Sequence, residues 1–226
     1  MRTTTQGLVL AFLGAVLVRL AWEGAYLRFV TEWMRWPLLV SGVLLVLLAV
    51  RPLLSAGQAD QDHADGVPAV TWLLLLPALV VFVVSPPALG AYLAERRAGE
   101  APPASPVASF APLPEGGTPV LEVEELLWRA LDDDGATLAG RSVEVRGFVS
   151  HGPDGVWYVT RMVIGCCAAD AAVVRVQVDG ADRPERDRWV AVTGTWQDGT
   201  GVRAGEQAVL AAESVRRIRT PAVTYG

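Results

Sequence analysis

The clearest strand pattern in the C-terminal half of the chain is SVEVRGFVSHGPDGVWYVTRMVI, residues 142–164. Apolar residues recur at alternate positions on both sides of HGPDG, and this pattern around a Gly- and Pro-containing turn predicts a β-hairpin. Similar segments at 171–180, 188–197 and 207–218 raise the number of predicted strands to five. Five short strands within about 80 residues are typical of a small closed barrel of the OB type.

An amphipathic helix is predicted before the strands, in VLEVEELLWRALDD at 120–133. Its apolar side chains recur at helical spacing along one stripe, formed by Val123, Leu126, Leu127, Ala130 and Leu131. Residues 98–119 are rich in Pro, Ala and Gly, which is typical of an unfolded linker. We therefore expect a linker over 98–119 and an OB-like β-barrel domain over 120–226.

Residues 1–97 are predicted to form an α-helical membrane domain. The chain is 52% hydrophobic with a mean hydropathy of +0.35, values too apolar for an ordinary soluble protein of 226 residues. Apolar segments near 7–28, 36–54 and 67–94 are each long enough to cross the hydrocarbon core as a helix. The sequence thus predicts three transmembrane helices in a multi-pass protein of the cell membrane.

The first helix is expected to be retained and not cleaved as a secretory signal. It has no strongly basic start, and Arg19 and Glu23 continue it where a small-residue cleavage site would be needed. Their i, i+4 spacing allows the two side chains to pair on one face of the helix.

The sequence leaves open the side of the membrane on which the C-terminal domain lies. More arginines flank the ends of the predicted helices on the side of the C terminus, which weakly favours a cytoplasmic location (Arg28, Arg35, Arg96 and Arg97 against Arg2 and Arg51). Pro- and Ala-rich linkers of this kind are common outside the cell in GC-rich bacteria, and this association favours the opposite side.

The two cysteines of the chain, Cys166 and Cys167, are adjacent and are followed by Asp170. Three interpretations stay open: a zinc site, a reversible redox pair, and the packing of small apolar side chains. Tetrahedral zinc takes about four ligands, of which these residues supply at most three. His151 lies at the other end of the hairpin, on the order of 30 Å away along the strand. The sequence therefore assigns no resident metal or cofactor.

Two classes of function have little support in the sequence. Trp157, Tyr158, Trp189 and Trp196 could stack on nucleobases, but from Thr118 onward 12 arginines face 16 acidic residues, and an acidic domain is a poor nucleic-acid binder. These aromatic residues are therefore expected in the core or at an interface. Since the cysteine stretch contains no histidine that could activate a thiol, we expect a non-enzymatic protein.

Several motifs along the chain resemble the YcgQ-like permease-subunit family, which consists of bacterial membrane proteins of unknown function. These motifs are SPPALG at 85–90, GRSVEVRGFV at 140–149, RMVIGCCAADA at 161–171, WVAVTG at 189–194 and PAVTY at 221–225. The most specific is R-x-x-I-x-C-C-A-A-D-A, whose positions are occupied by Arg161, Ile164, Cys166, Cys167, Ala168, Ala169, Asp170 and Ala171. The chain departs from the family in the loop before the third helix, where His63 is the single histidine. The resemblance implies an accessory subunit of a neighbouring predicted multi-helix permease.

Our leading hypothesis is a non-catalytic subunit, embedded in the lipid bilayer, whose C-terminal domain docks on or gates that permease. The expected functional or interface residues are Arg161, Cys166, Cys167 and Asp170. The alternative is a membrane-anchored thiol-redox or metal sensor in which Cys166 and Cys167 change state.

Overall fold

The structure, a computed structural model, describes residues 3–54, 73, 76, 79, 80, 83, 90–97, 99, 110–132, 134–203, 205–221 and 223–225. The chain divides into two compact units, Met1–Pro87 and Ala88–Gly226. The N-terminal unit is helical, and the C-terminal unit contains a six-stranded mixed sheet.

Two long helices form the described part of the N-terminal unit: α1 at Thr3–Glu23 and α2 at Arg35–Leu54. Both are predominantly apolar and long enough to cross a bilayer, which suggests membrane association. α1 ends at Gly24, whose φ of 74° is the left-handed conformation common at helix C termini. Two short 3₁₀ turns, Ala25–Arg28 and Glu32–Met34, connect α1 to α2.

The two helices approach each other closely at a pair of glycines. A Cβ atom on Gly14 would lie 2.7 Å from the carbonyl oxygen of Gly42, so the two backbones are in direct contact there. The predicted pair on α1 is confirmed, with Arg19 Nε donating to Glu23 Oε1 at 2.9 Å.

Most of the third predicted helix, 67–94, lies outside the described residues. The described positions between residues 55 and 89 are helical and exposed (Leu73, Leu76, Leu79, Val80 and Val83). The number of membrane spans therefore stays a prediction. The loop that contains His63 also lies outside the described residues.

The sheet of the C-terminal unit has strands at Val120–Leu121 (β1), Ser142–His151 (β2), Trp157–Val163 (β3), Ala172–Asp179 (β4), Trp189–Trp196 (β5) and Val209–Arg217 (β6). Their order is β1-β2-β3-β4-β6-β5, and β2 pairs with β5 as well. The β1–β2 and β4–β6 pairs are parallel, and the remaining pairs are antiparallel. The five predicted strands are confirmed, and β1 is an additional short strand.

The two glycines inside strand patterns both lie at close backbone approaches. A Cβ atom on Gly147 would be 2.5 Å from the carbonyl oxygen of Thr160 on the neighbouring strand. Gly194 lies at a register shift between β5 and β6, and a Cβ atom there would clash with the carbonyl oxygen of Ala211. A glycine inside a strand permits such an approach, and at Gly194 it coincides with a bulge.

Hydrophobic clusters cover both faces of the sheet. On one face, the predicted amphipathic helix α3 (defined here as Val123–Asp132) buries Val123, Leu126, Leu127 and Ala130 against Val-rich strands. Leu131, the last residue of the predicted stripe, is 36% exposed. The second cluster includes Met162, Ile164, Tyr225 and the short helix α0 (Ala91–Arg96) through Ala91 and Ala94. Strand β3 is therefore buried on both faces.

The helix α0 belongs to the C-terminal unit and not to a membrane helix that continues to residue 94. Asp187 Oδ1 accepts a hydrogen bond from the backbone N–H of Ala91 at 2.6 Å, which caps the start of the helix. Glu95 accepts from the backbone N–H of His151 at 2.9 Å and from Arg186 Nη2 at 2.7 Å. The units consequently divide at Pro87/Ala88, ahead of the predicted boundary at residue 97.

The second half of the predicted linker, residues 110–119, packs on the C-terminal unit. Leu113 is buried in the main cluster, and Phe110 stacks on Trp128 with 6.5 Å between ring centroids. Arg129 Nη1 also donates to the carbonyl oxygen of Ala111 at 2.9 Å. These few contacts hold the Pro-rich segment 110–119 onto the core, at positions where the sequence predicts an unfolded linker.

Candidate functional site

The two cysteines lie on the loop that connects β3 to β4. The strand ends at Val163, a 3₁₀ turn follows at Ala168–Asp170, and β4 begins at Ala172. The Asp170 carboxylate accepts hydrogen bonds from three successive backbone N–H groups, those of Gly165 (3.1 Å), Cys166 (2.8 Å) and Cys167 (3.4 Å). This side chain therefore folds the loop back onto itself and fixes the peptide groups that carry the thiols.

The loop brings the three polar side chains together. One ligand atom from each residue, Cys166 Sγ, Cys167 Sγ and an Asp170 carboxylate oxygen, lies within 4.8 Å of the other two. Cys166 is exposed and Cys167 is half-buried. The sequence left open whether the neighbouring thiols diverge as in a strand or converge as in a turn, and they converge. We call these three residues the CCD cluster.

Hydrogen bonding determines the protonation of the CCD cluster. The Asp170 carboxylate accepts from the Cys166 thiol, and this bond, followed by the bond to Cys167, raises the pKa of Cys166 to about 11. The hydrogen bond from the backbone N–H of Cys166 is the main cause of the lowered pKa of Asp170. At neutral pH the cluster therefore contains an ionised carboxylate beside a protonated Cys166 thiol, which is a poor nucleophile in that form.

Arg161, the fourth predicted site residue, contacts a different set of groups. Its side chain is 9% exposed and lies over the ring of Trp189, with 5.4 Å from Cζ to the ring centroid. Its Nη2 atom lies 3.7 Å from Glu122 Oε2, and its buried Nε has no hydrogen-bond partner among the residues that the structure describes. Arg161 therefore belongs to a buried charged group beside the start of α3.

Glu124 completes that group and was not anticipated from the sequence. It is 8% exposed, and within the described part of the chain its buried Oε2 has no hydrogen-bond partner. Burial raises the pKa of Glu124, which is partly offset by its own backbone N–H and by the nearby Arg161 charge. Periodicity alone could not reveal this residue, because its burial depends on how α3 lies against the sheet.

One further contact joins the CCD loop to α0. Arg97 Nη1 donates to the carbonyl oxygen of Ala171 at 2.7 Å, and Ala171 directly follows Asp170. The third apolar segment leads into α0 along the chain. This bond therefore connects the loop to the N-terminal end of the C-terminal unit.

The remaining candidates of the sequence have structural roles. The four aromatic residues considered for stacking are all buried, at 2–8% exposure (Trp157, Tyr158, Trp189 and Trp196). His151 Nε2 is 2.8 Å from the carbonyl oxygen of Pro184, and the group that could hold a metal does not include it. These positions agree with the expectation that the aromatic rings form the core.

The C-terminal unit matches one known protein family. Residues 127–225 match the family model described as DUF1980 C-terminal domain. The matched range contains Arg161 and the whole CCD cluster, and it covers less than half of the 226-residue chain. Among curated proteins, none matches the chain significantly. The match supports membership of the C-terminal unit in an uncharacterised family, without assigning it a chemical activity.

Proposed function

We propose that this chain is a membrane-anchored accessory subunit of a bacterial permease and that its C-terminal unit docks on or gates the partner. The finer assignment, to the YcgQ-like permease subunits, is supported by the sequence motifs given above. The subunit is non-catalytic in this proposal, and its partners are a multi-helix permease and the lipid bilayer.

The observation that carries the proposal is the apolar surface of α1 and α2. Only 22% of the candidate span in α1 and 11% of the candidate span that includes α2 are buried, so most of these side chains are partly or fully exposed. Trp22, Trp33 and Trp36, which are 60–79% exposed, lie near the connection between the helices. Tryptophans at one end of an apolar helical hairpin are typical of the membrane–water interface. With a third span in the apolar segment that begins at residue 67 and ends before the C-terminal unit, the protein is multi-pass.

The fold of the C-terminal unit suits a docking role. The pairing of β2 with both β3 and β5 supports an OB-like barrel, in which the strands from β2 to β6 form a closed ring. Such a ring leaves few free strand edges, so its exposed loops are the natural place for a partner to bind. The CCD loop is exposed at Cys166, Ala169 and Asp170, and we assign it to the docking surface.

Co-purification tests this proposal. The tagged full-length protein is extracted from its native membrane in mild detergent, and the proteins that accompany it are identified by mass spectrometry. The proposal predicts a multi-helix permease in a fixed ratio to the tagged chain. A protein that is recovered alone from intact native membranes would contradict it.

A second candidate function, a thiol-based sensor, is supported by the contact between Arg97 and the carbonyl oxygen of Ala171. A change of state at Cys166 and Cys167 would move the peptide groups held by Asp170 and so disturb this contact. The signal would reach α0, which leads along the chain toward the third apolar segment. In the full-length protein, hydrogen exchange of α0 should then respond to thiol oxidants or metal ions, and the response should be absent in the Cys166→Ser/Cys167→Ser variant.

A further inference from the structure

The CCD cluster places two thiols and a carboxylate side by side. A purely structural loop does not require this combination, and neither does a nucleophilic site. We propose that Cys166, Cys167 and Asp170 bind a thiophilic divalent cation of the Zn²⁺ class. This inference names the ligand that the thiols of the proposed sensor would detect. Its biological meaning rests on that sensor function. Cation binding itself can be measured independently of any signal.

The spacing of the ligand atoms fits a single ion. Two sulfurs that each lie about 2.3 Å from a tetrahedral zinc are separated by about 3.8 Å, and a carboxylate oxygen binds at about 2.0–2.2 Å. The three ligand atoms already lie within 4.8 Å of one another, so a contraction on the order of 1 Å suffices. Rotation of exposed side chains can supply a movement of this size without refolding the loop.

The ligand types select the class of cation. Two thiolates favour Zn²⁺ and other soft or borderline ions over Mg²⁺ and Ca²⁺, which prefer oxygen ligands. Binding exchanges protons for the metal: the Cys166 and Cys167 thiols each release one proton to solvent, while Asp170 is already ionised. Two thiolates and one carboxylate then surround a dication, and no oxidant or reductant takes part.

The backbone of the loop supports the ligands from behind. Both oxygens of the Asp170 carboxylate accept N–H groups, Oδ1 from Gly165 and Cys167 and Oδ2 from Cys166. A carboxylate oxygen has more than one lone-pair direction, so it can keep these bonds while it binds a metal. The same bonds oppose a disulfide, because closing the eight-membered ring would twist the Cys166–Cys167 peptide away from Asp170.

The site is open on one side. Among the described residues three ligands converge where tetrahedral zinc takes four, and Cys166 is exposed, so water completes the coordination. An open position allows the ion to be exchanged, as a sensor requires, whereas structural zinc sites have four protein ligands.

Two titrations of the reduced full-length protein in detergent test the inference. Co²⁺ is added first, and Zn²⁺ then displaces it in competition with a chromophoric chelator. We expect one ion per chain and a sulfur-to-cobalt charge-transfer band. The Cys166→Ser/Cys167→Ser variant should lose the band, and Asp170→Asn should weaken binding by roughly 100-fold. Asp154→Asn, at a β2–β3 turn position where φ is 54°, is the matched control and should bind like the wild type.

The outcomes separate the cation site from the sensor function. Zinc binding that survives in the double serine variant, or wild-type protein that binds no Co²⁺ and no Zn²⁺, would overturn the inference, provided that circular dichroism shows each variant folded. Zinc binding without any change in the hydrogen exchange of α0 keeps the cation site and refutes the sensor. A change in α0 upon thiol oxidation, in a protein that binds neither Co²⁺ nor Zn²⁺ when reduced, keeps the sensor and refutes the cation site.

Discussion

Replacing Glu124 with glutamine is expected to stabilise the C-terminal unit at neutral pH and to leave its stability near pH 4 almost unchanged. Glu124 is 8% exposed, and its buried Oε2 forms no hydrogen bond with any described residue. Burial raises the pKa of this carboxyl from its usual value of 4.5, so the folded state holds the proton more tightly than the unfolded state does. Stability from this group is fully present below pH 4.5 and is lost as the pH rises through the folded-state pKa.

The magnitude follows from two opposing effects. A buried polar group without a partner costs about 1–3 kcal/mol, and each unit of pKa shift corresponds to about 1.4 kcal/mol. Glutamine removes the charge but also removes the attraction to Arg161, and its amide still needs a partner. We therefore expect a net gain of about 1 kcal/mol in the free energy of unfolding at pH 8.

This free energy is measured by hydrogen exchange of the α3 backbone amides in the full-length protein. The rates are corrected for the intrinsic pH dependence of exchange. Glu115→Gln is the matched control, because Glu115 is exposed and its neutralisation should change stability at neither pH. An equal gain at pH 4 and pH 8, or a loss at pH 8, would refute the reasoning.

Three further predictions concern the sheet, the cysteine loop and α0. Gly147→Ala should lower the free energy of unfolding by about 2 kcal/mol in hydrogen exchange, because its Cβ would lie 2.5 Å from the Thr160 carbonyl oxygen; an unchanged value would contradict the close approach. Asp170→Asn should speed iodoacetamide alkylation of metal-free Cys166 at pH 8 by roughly tenfold or more, since the pKa of this thiol should fall from about 11 toward 9.0; an unchanged rate would show that the carboxylate does not control the thiol. Asp187→Ala should lower the opening free energy of the α0 amides by about 1 kcal/mol, which speeds their hydrogen exchange. Asp187→Asn should retain most of the protection, because its amide oxygen can still cap Ala91.

The strands could be predicted from the sequence because their core faces follow a simple period. Residues 142–164 contain a hairpin whose turn and alternation are both local. The stripe of α3 is likewise local, and four of its five residues are buried. Local patterns therefore determined the elements, while the order in which the strands pair depends on contacts distant in sequence.

The parts that were missed depend on those distant contacts. The helix α0 is held by Asp187, which lies 96 residues after Ala91, and nothing in its own six residues predicts that partner. The burial of Arg161 and Glu124 similarly reflects the packing of α3 on β3. For the candidate site, the spacing of Cys166, Cys167 and Asp170 identified the residues, but only the loop geometry shows that the three side chains converge.

The measurement that tests the central claim most directly is site-specific photocrosslinking in native membranes. A photoreactive residue at Ala169, which is exposed on the CCD loop, should crosslink to a multi-helix membrane protein, and the same residue at Asp198, an exposed position after β5, should not. Equal labelling from both positions, or no membrane-protein product from Ala169, would contradict the assignment of this loop to the docking surface of a permease subunit.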